Sequence, residues 1–142
     1  MHWTWRCDST CCFDTRQSVL VNNAIPVKID KEDKRYCKVI GGVWYSFYSG
    51  VEIKDPKEIE IDHALPFDWV YSHVEDQSTE NLLKIYNDEE NLVIATVKEN
   101  RQKGNKINLP FPVSKEVQKK FKDRQLYICK KYPMKNCESL NK

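Results

Sequence analysis

Two strand patterns followed by a helix pattern, near the centre of the chain, constrain its fold more than any other feature. Ile59-Glu60-Ile61 alternates apolar and charged residues as a half-buried strand does, and Asp62-His63 follow directly. Leu92-Val93-Ile94-Ala95 is an apolar run of strand length. Thr96 then supplies an N-cap for a helix that Gly104 ends. We therefore expect a strand, a long connection, a second strand and a helix.

The rest of the chain is divided into short elements by proline, glycine and capping signals. The expected elements are a short helix from Asp14 that Pro26 limits, short antiparallel strands between Tyr36 and Ile53 with turns at Gly41-Gly42 and Ser49-Gly50, a helix over 78–87 and a basic helix over about 114–131. No internal repeat, low-complexity tract or long linker interrupts the 142 residues. We expect a single-domain α+β protein with short antiparallel strands and flanking helices.

Charge is distributed unevenly along the chain. From Lys98 to the end there are 13 Lys and Arg against 4 Asp and Glu, a net charge of +9, whereas residues 1–97 carry −7. A basic C-terminal third indicates a face that meets a polyanion such as nucleic acid, with a solvated basic helix as the alternative. No apolar run reaches the roughly 18 residues of a transmembrane helix, so no membrane partner is expected.

The cysteine content is high for a cytosolic protein, with six residues: Cys7, Cys11, Cys12, Cys37, Cys129 and Cys137. Composition alone leaves open disulfides in an oxidising compartment and free thiols in a reducing one. A zinc site is the weaker alternative, because no Cys-x-x-Cys pair exists. Cys129 and Cys137 are eight residues apart with Pro133 between them, so a turn can bring them together and we expect a disulfide there.

Asp62, His63, Asn91 and Asn100 are of the residue types that hydrolysis of a phosphodiester requires. Asp62 would supply a carboxylate, and Asn100 an amide carbonyl, to one hard divalent cation, Mg²⁺ or Mn²⁺. His63 projects to the other side of the chain from Asp62 and would act as the general base. Asn91 would order the loop behind His63 and help to fix its ring and tautomer. Each residue taken singly is more often structural, so the interpretation depends on their joint type, order and spacing.

Four basic side chains are candidates for contacts with a nucleic-acid backbone. Arg101, Lys103 and Lys106 follow Asn100 directly and would bind the phosphates that flank the scissile bond. Arg16 is either a salt-bridge partner that supports the site or a further phosphate contact. Such contacts position a substrate without reading its sequence.

Three segments resemble the motifs of the HNH, or ββα-metal, endonuclease superfamily. Ile61-Asp62-His63-Ala64-Leu65-Pro66 is similar to the family's Asp-His-hydrophobic-hydrophobic-Pro run, and Asn91-Leu92-Val93 to its middle Asn strand. Asn100-Arg101-Gln102-Lys103-Gly104 resembles the final Asn-Arg-x-Lys-Gly helix, in which Asn replaces the last His of the His-Asn-His triad. The resemblance implies a ββα-metal nuclease core over about residues 59–106, and metal-dependent cleavage of DNA to products with 5′-phosphate and 3′-hydroxyl ends.

A narrower resemblance covers about two-thirds of the chain, from about residue 14 to residue 106. Asp14-Thr15-Arg16-Gln17-Ser18-Val19-Leu20, the Cys37-Lys38-Val39 segment with Gly42 and Trp44, and Tyr48-Ser49-Gly50 look like parts of a smaller family. These are the HNH proteins related to the C-terminal part of GmrSD-type restriction enzymes. Many of them are small exported proteins.

The narrower resemblance also implies a disulfide near the N-terminus. It pairs the strand region that Cys37 opens with the cysteines before the first helix. Phe13 separates Cys12 from Asp14, so the expected partner of Cys37 is Cys12 or Cys11. Cysteine content and resemblance together favour an extracytoplasmic location, secreted or periplasmic, with a cytoplasmic one left open.

The sequence therefore leads to the hypothesis of a monomeric, metal-dependent endonuclease that uses His63 as general base and has low sequence specificity. DNA is the expected substrate, and RNA stays open. Two alternatives from other classes are a catalytically silent nucleic-acid-binding module and a disulfide-stabilised extracellular binding protein whose motif is accidental. Magnesium-dependent cleavage of a plasmid separates the first alternative from the hypothesis, and disulfide mapping with a DNA-binding test addresses the second.

Overall fold

The structure, a computed structural model, describes residues 14–24, 27–30 and 38–141. Within them the helices are α1 (Thr15–Asn22), α2 (Phe67–His73), α3 (Thr79–Tyr86), α4 (Val97–Lys103) and α5 (Lys115–Lys131). The strands are β1 (Val27–Asp30), β2 (Lys38–Gly42), β3 (Trp44–Tyr45), β4 (Glu52–Ile53), β5 (Ile59–His63) and β6 (Leu92–Thr96). Short 3-10 helices cover Pro56–Glu58, Glu89–Asn91 and Cys137–Asn141. The expected α+β class, with short antiparallel strand pairs and helices, is confirmed.

The described strands pair two by two: β1 with β2, β3 with β4, and β5 with β6. β1 and β2 are antiparallel, with Val27 opposite Gly42 and Asp30 opposite Lys38. The turn expected at Gly41-Gly42 is therefore wrong, since both glycines belong to β2. Pairing with β1 keeps this stretch extended, against the preference of glycine for turns.

Helix starts follow the capping signals in the sequence. Asp14, Ser78 and Ser114 each accept a hydrogen bond from the backbone amide three residues later, at 2.8, 3.2 and 3.1 Å. Each side chain thereby satisfies an amide that the first turn leaves without an intrahelical partner. Gly104 has a φ of +52°, the left-handed conformation that glycine adopts at low cost, and it ends α4 as expected. By contrast, α2 begins after Pro66, which makes no side-chain capping bond.

Two compact groups of elements are distinguished by their internal contacts, and the first comprises the described residues up to Asp62 together with 93–100. Its buried apolar residues are Val19, Leu20, Val39, Trp44, Tyr48, Ile53, Ile59, Ile61, Val93, Ile94 and Ala95. The indole nitrogen of Trp44 donates to the Leu20 carbonyl at 2.8 Å. The fully buried Trp44 thus anchors α1 against β3.

The second group comprises 63–92 and the described residues from 101 onwards. Its buried apolar residues are Ala64, Leu65, Val70, Val74, Leu82, Ile85, Leu92, Phe121, Ile128, Cys129, Tyr132 and Leu140. Cys129 in α5 forms a disulfide with Cys137, with their Cα atoms 5.8 Å apart, so the bridge expected there is confirmed. An isolated antiparallel bridge pairs Val74 with Met134. The disulfide and this bridge hold the chain that follows α5 against the end of α2.

Several expectations concern parts of the chain that the structure does not describe. Cys7, Cys11, Cys12 and Cys37 lie outside the described residues, and so does the bridge expected from Cys37. Among the helices that the structure describes, none combines the length and the apolar character needed to span a membrane.

Replacing both Cys129 and Cys137 by Ser should lower the free energy of unfolding by about 2–3 kcal/mol, because the bridge restricts the unfolded chain. Urea denaturation of the oxidised wild type and of the double variant measures the difference. Peptide mapping under non-reducing conditions serves as the control and should recover the linked Cys129–Cys137 peptides from the wild type alone. Equal unfolding free energies for the two oxidised proteins would contradict the stabilising role.

Candidate active site

Asp62 is a buried carboxylate near the end of β5, with only 6 % of its surface exposed. The hydroxyl of Tyr48, which is also buried, donates a hydrogen bond to its Oδ2 atom. A carboxylate loses hydration on burial, and a hydroxyl donor offsets part of that cost. Asp62 is therefore held in a defined orientation by a side chain 14 residues earlier in the chain.

The turn between β3 and β4 presents Tyr48 to this carboxylate. Ser46 Oγ accepts hydrogen bonds from the backbone amides of Tyr48 and Ser49, both at 3.1 Å, and donates to Glu99 Oε1 at 2.6 Å. Glu99 Oε1 also accepts from the Thr96 amide at 3.0 Å, while Thr96 Oγ1 accepts from the Glu99 amide at 3.1 Å. This reciprocal pair is a capping box. The Glu99 carboxylate therefore stabilises both the start of α4 and the β3–β4 turn that contains Tyr48.

Asn100, in α4, contacts Glu60 of β5. Its Nδ2 atom donates to Glu60 Oε1 at 3.1 Å. An ionised carboxylate only accepts hydrogen bonds, so the atom of Asn100 that faces Glu60 is the amide nitrogen. The amide oxygen of Asn100 then points away from Glu60. Glu60 and Asp62 are two residues apart on one strand, so their side chains project from the same face. Asn100 therefore lies against the face of β5 that carries Asp62.

Arg16 contacts the backbone at the start of β5. Its guanidinium donates to the Pro56 carbonyl at 3.0 Å and to the Ile59 carbonyl at 3.2 Å. Burial lowers the pKa of Arg16, and the nearby charges of Asp14 and Glu60 oppose that shift. Of the two roles expected from the sequence, support of the site matches this geometry better than a phosphate contact does.

The His63 ring, at the end of β5, lies with its Nε2 atom 2.9 Å from the carbonyl oxygen of Tyr86. Because a carbonyl oxygen only accepts, Nε2 carries the proton in the neutral ring and the basic lone pair is on Nδ1. Burial lowers the pKa of His63 to about 4; the hydrogen bond to Tyr86 opposes this shift, and the charge of Lys103 adds to it. His63 is therefore neutral at pH 7, which is the protonation state of a general base.

Asn91 is buried, 1 % exposed, and clamps the chain that follows His63. Its Oδ1 atom accepts from the Leu65 amide at 2.7 Å, and its Nδ2 atom donates to the Leu65 carbonyl at 3.0 Å. Its backbone carbonyl accepts from the Ala64 amide at 2.8 Å. Asn91 thus orders the segment behind His63, whereas the carbonyl of Tyr86 sets the tautomer of the ring.

Asp88 anchors the short 3-10 helix that ends at Asn91. Its Oδ1 atom accepts from the Glu90 amide at 3.0 Å, and Oδ2 accepts from Lys131 Nζ at 2.7 Å and from the Tyr132 hydroxyl at 2.6 Å. Burial alone would raise the pKa of Asp88, but these donors and the charge of Lys131 outweigh it, and the net shift is downward. Asp88 is therefore charged at neutral pH and connects the Asn91 turn to the end of α5.

Lys103 is fully buried, although it was expected at the surface. Its ammonium donates to the His63 carbonyl at 3.0 Å and lies 5.9 Å from the ring centroid of Phe121. A buried ammonium needs such partners because it has lost its hydration. A fully buried side chain does not lie along a nucleic-acid backbone, so the expected phosphate contact does not fit this position. Lys103 instead supports the backbone of His63.

Arg101 and Lys106 keep the exposed positions expected of phosphate contacts. Lys106 Nζ donates to the Gln102 carbonyl at 3.2 Å at the surface. The exposed lysines of α5 lie in the same part of the chain: Lys115 and Lys130 add to this positive charge, whereas Lys119, Lys120 and Lys131 form ion pairs with Asp123, Glu116 and Asp88. The exposed side chains of Arg101, Lys106, Lys115 and Lys130 are accessible to an anionic partner.

The oxygen donors near β5 have the chemistry that a hard divalent cation prefers. Asp62 offers a carboxylate, and Asn100 an amide carbonyl whose nitrogen end is fixed by Glu60. Among the described residues, no group of three or more His, Cys, Asp or Glu side chains is arranged to hold a metal ion. A cation bound by Asp62 and Asn100 would therefore take its other ligands from water and phosphate, as Mg²⁺ often does. Oxygen donors of this kind fit Mg²⁺ or Mn²⁺.

Tyr48, Glu60 and the Tyr86 carbonyl make contacts that sequence reasoning missed. Glu60 is two residues before Asp62 on a predicted strand, so its place on the same strand face as Asp62 could have been predicted. Tyr48 belongs to a segment that resembles a family motif, but nothing in its residue type points to Asp62. Tyr86 acts through its main chain, which no residue type reveals.

Comparisons of the chain with protein-family models, with curated proteins and with solved structures find no match. The functional interpretation therefore rests on the residues of this chain and their contacts.

Replacing Asn91 by Ala should lower the free energy of unfolding by about 2–4 kcal/mol, because the amide and carbonyl of Leu65 would stay buried without these partners. Asn105 provides a matched control, since it is exposed and its Nδ2 atom donates to the exposed Asp68. Asn105→Ala should lower the free energy of unfolding by less than about 0.5 kcal/mol. Urea denaturation compares the two variants. A similar small loss of unfolding free energy in both would contradict the role of Asn91 in holding the backbone of Leu65.

Asp88→Asn should destabilise the protein at pH 7 by about 1–2 kcal/mol, since a charged acceptor of three hydrogen bonds becomes neutral. The folded-state pKa of Asp88 is lowered, so its stabilisation is present above the ordinary pKa of 3.8 and is lost as the pH falls through the lowered value. The difference between variant and wild type should therefore shrink below about pH 4. Urea denaturation at pH 7 and at pH 3 measures both differences, and a difference that grows in acid would contradict this assignment.

Proposed function

We propose that this protein is a metal-dependent endonuclease of the HNH, or ββα-metal, type. The reaction is the hydrolysis of a phosphodiester bond in DNA by an activated water molecule. The observation that carries the proposal is the His63 ring, which donates from Nε2 to the Tyr86 carbonyl and is preceded in the chain by the buried carboxylate of Asp62. A lone Asp-His pair would support it less than this fixed, neutral imidazole does.

His63 takes the proton of the attacking water at Nδ1. Nε2 keeps its proton and its hydrogen bond to the Tyr86 carbonyl throughout, so the ring keeps its orientation as it becomes charged. Lys103 binds the carbonyl of His63, and Asn91 binds the backbone two residues later, so contacts to the main chain at His63 and just after it help to hold the base. A base that is already oriented loses little entropy in the reaction.

Asp62 and Asn100 would hold one Mg²⁺ or Mn²⁺ ion. When bound, such an ion neutralises charge on the scissile phosphate and on the leaving oxygen. Glu60 supports this role for Asn100, because it binds the amide nitrogen and so leaves the carbonyl branch as the end that can bind a cation. The products would carry 5′-phosphate and 3′-hydroxyl ends.

Arg101 and Lys106 would bind the phosphates that flank the scissile bond, and the exposed lysines of α5 would extend that contact. Phosphate contacts carry no base information, which favours low sequence specificity. Lys103 has no place in this set because it is buried. The Cys129–Cys137 disulfide supports an extracytoplasmic location, secreted or periplasmic.

His63→Ala should lower the rate of plasmid cleavage in Mg²⁺ by roughly 10²–10⁴, the usual contribution of a general base. His73→Ala is the matched control, since His73 is also half-buried and also contacts a backbone carbonyl, that of Trp69 at 2.7 Å. The control should cleave at nearly the wild-type rate. DNA binding should change little in either variant, because neither ring neutralises a phosphate.

Two outcomes of the same assay would count against the proposal. Near-normal cleavage by a correctly folded His63→Ala protein would remove His63 as the base. A wild-type protein that binds DNA but does not cleave it with Mg²⁺ or Mn²⁺ would favour the silent binding module. Replacing the plasmid with single-stranded RNA tests the substrate class.

Arg101→Ala combined with Lys106→Ala should make the salt dependence of DNA binding shallower by about one to two units, because the log–log slope is about −0.9 per neutralised phosphate. Lys57→Ala combined with Lys84→Ala removes the same charge from exposed positions elsewhere and should leave the slope unchanged. Fluorescence anisotropy across a salt series measures both slopes. Equal salt-dependence slopes in the two double variants would mean that the DNA backbone contacts a surface other than the one with Arg101 and Lys106.

A further inference from the structure

The hydrogen bond between Tyr48 and Asp62 joins two buried polar groups, of which only Asp62 has a part in the proposed reaction. Tyr48 is 2 % exposed and Asp62 is 6 % exposed. Little water reaches Tyr48 to compete for its hydroxyl, so the bond persists without being exchanged for hydration. Most tyrosines satisfy their hydroxyl by reaching the surface, so a buried hydroxyl on a carboxylate indicates a specific contact.

The backbone around Tyr48 is fixed by contacts on both sides. The amides of Tyr48 and Ser49 bond to Ser46 Oγ, and the amide of Phe47 donates to the Ile94 carbonyl at 2.8 Å. Ser46 is held in turn by Glu99. The Phe47 and Tyr48 rings meet edge to face with centroids 5.4 Å apart. The hydroxyl of Tyr48 thus has a position that the rest of the turn determines.

We propose that Tyr48 is a positioning residue for Asp62, which it orients as a ligand of the divalent cation. This inference rests on the proposed function, because it takes Asp62 as a metal ligand. An aspartate turns about two side-chain bonds, and a donor on one carboxylate oxygen fixes the plane of the group. A ligand that is already oriented binds a cation more tightly than one that must be ordered on binding. Tyr48 acts through Asp62 alone and takes no part in proton transfer.

A purely structural role makes a different prediction for the same bond. If the hydroxyl of Tyr48 only satisfies a buried polar group, its removal changes the stability of the fold and leaves cation affinity unchanged. A positioning role changes the affinity for the cation in protein that is fully folded. Cation affinity is therefore the readout that separates the two roles, and it does not depend on catalysis.

The experiment measures the Kd of the metal-free full chain for Mn²⁺ by electron paramagnetic resonance of the free ion. Tyr48→Phe removes only the hydroxyl and should raise the Kd about 10-fold, the usual effect of losing a partner of a metal ligand. Tyr45→Phe is the matched control, because Tyr45 lies three residues earlier and is 60 % exposed, and its Kd should equal that of the wild type. Asp62→Asn should raise the Kd further than Tyr48→Phe does. Circular dichroism confirms that each variant is folded at the temperature of the measurement.

The outcomes separate this inference from the proposed function. An equal or tighter Kd in Tyr48→Phe, with binding weakened in Asp62→Asn, overturns the role of Tyr48 alone. Mn²⁺ binding that weakens in both variants, together with no DNA cleavage by the wild type, overturns the proposed function and supports the role of Tyr48. A wild type that binds no Mn²⁺ overturns both.

If Tyr48→Phe does not fold, Ser46→Ala serves in its place. This change loosens the turn that presents Tyr48 and leaves the Tyr48 hydroxyl and Asp62 in the chain. Its Kd should rise in the same direction, by about 3-fold, since the partner of the ligand is weakened and not removed. A Kd equal to that of the wild type overturns the inference.

Discussion

The buried Asn91 side chain supports the segment on which the candidate site depends. β5 ends at His63, and the residues that follow have left the strand pairing, so their backbone groups need other partners. Asn91 binds both polar groups of Leu65 with its side chain and the Ala64 amide with its own carbonyl. An amide suits this position because it carries an acceptor and a donor, whereas an ionised aspartate has no donor. The proposed base therefore follows a strand whose exit is fixed.

Among the residues that the structure describes, the buried charged groups bind particular partners. Lys103 donates to the backbone of His63, and Asp62 accepts from Tyr48. Asp88 accepts from Lys131 and from a tyrosine hydroxyl at the end of α5. Burying a charge is costly, and apolar residues of similar size would often serve stability as well. Lys103 contacts the backbone of His63, and Asp62 precedes His63 in the chain. The proposed reaction therefore gives a reason for burying these two charges.

Local signals in the sequence predicted much of the secondary structure, because those signals act over a few residues. Asp14, Ser78 and Ser114 start helices by bonding an amide three residues away, and Cys129 pairs with a partner eight residues later. The expectation failed at Gly41-Gly42, where pairing with a distant strand overrides the local preference.

The contacts of the candidate site were harder to predict, because most of them join distant residues. The burial of Lys103 depends on Phe121 and on a carbonyl 40 residues earlier, so no pattern around the lysine reveals it. The contact of Tyr48 with Asp62 likewise depends on how the β3–β4 turn packs. The contact of His63 with a main-chain carbonyl is independent of residue type at position 86. Residue types could therefore suggest the chemistry of the candidate site, but not the distant contacts that hold its side chains in place.

Glu99 links two local structures through one carboxylate, which has a consequence for how the sequence can evolve. It caps α4 with Thr96 and also accepts from Ser46, 53 residues earlier. A lineage that loses the hydroxyl at position 46 weakens the turn that carries Tyr48, and one that loses the carboxylate at position 99 weakens that turn and the helix start together. We therefore expect substitutions at positions 46 and 99 to be coupled, and selection on the proposed metal ligand Asp62 to constrain the helix cap at Glu99 as well.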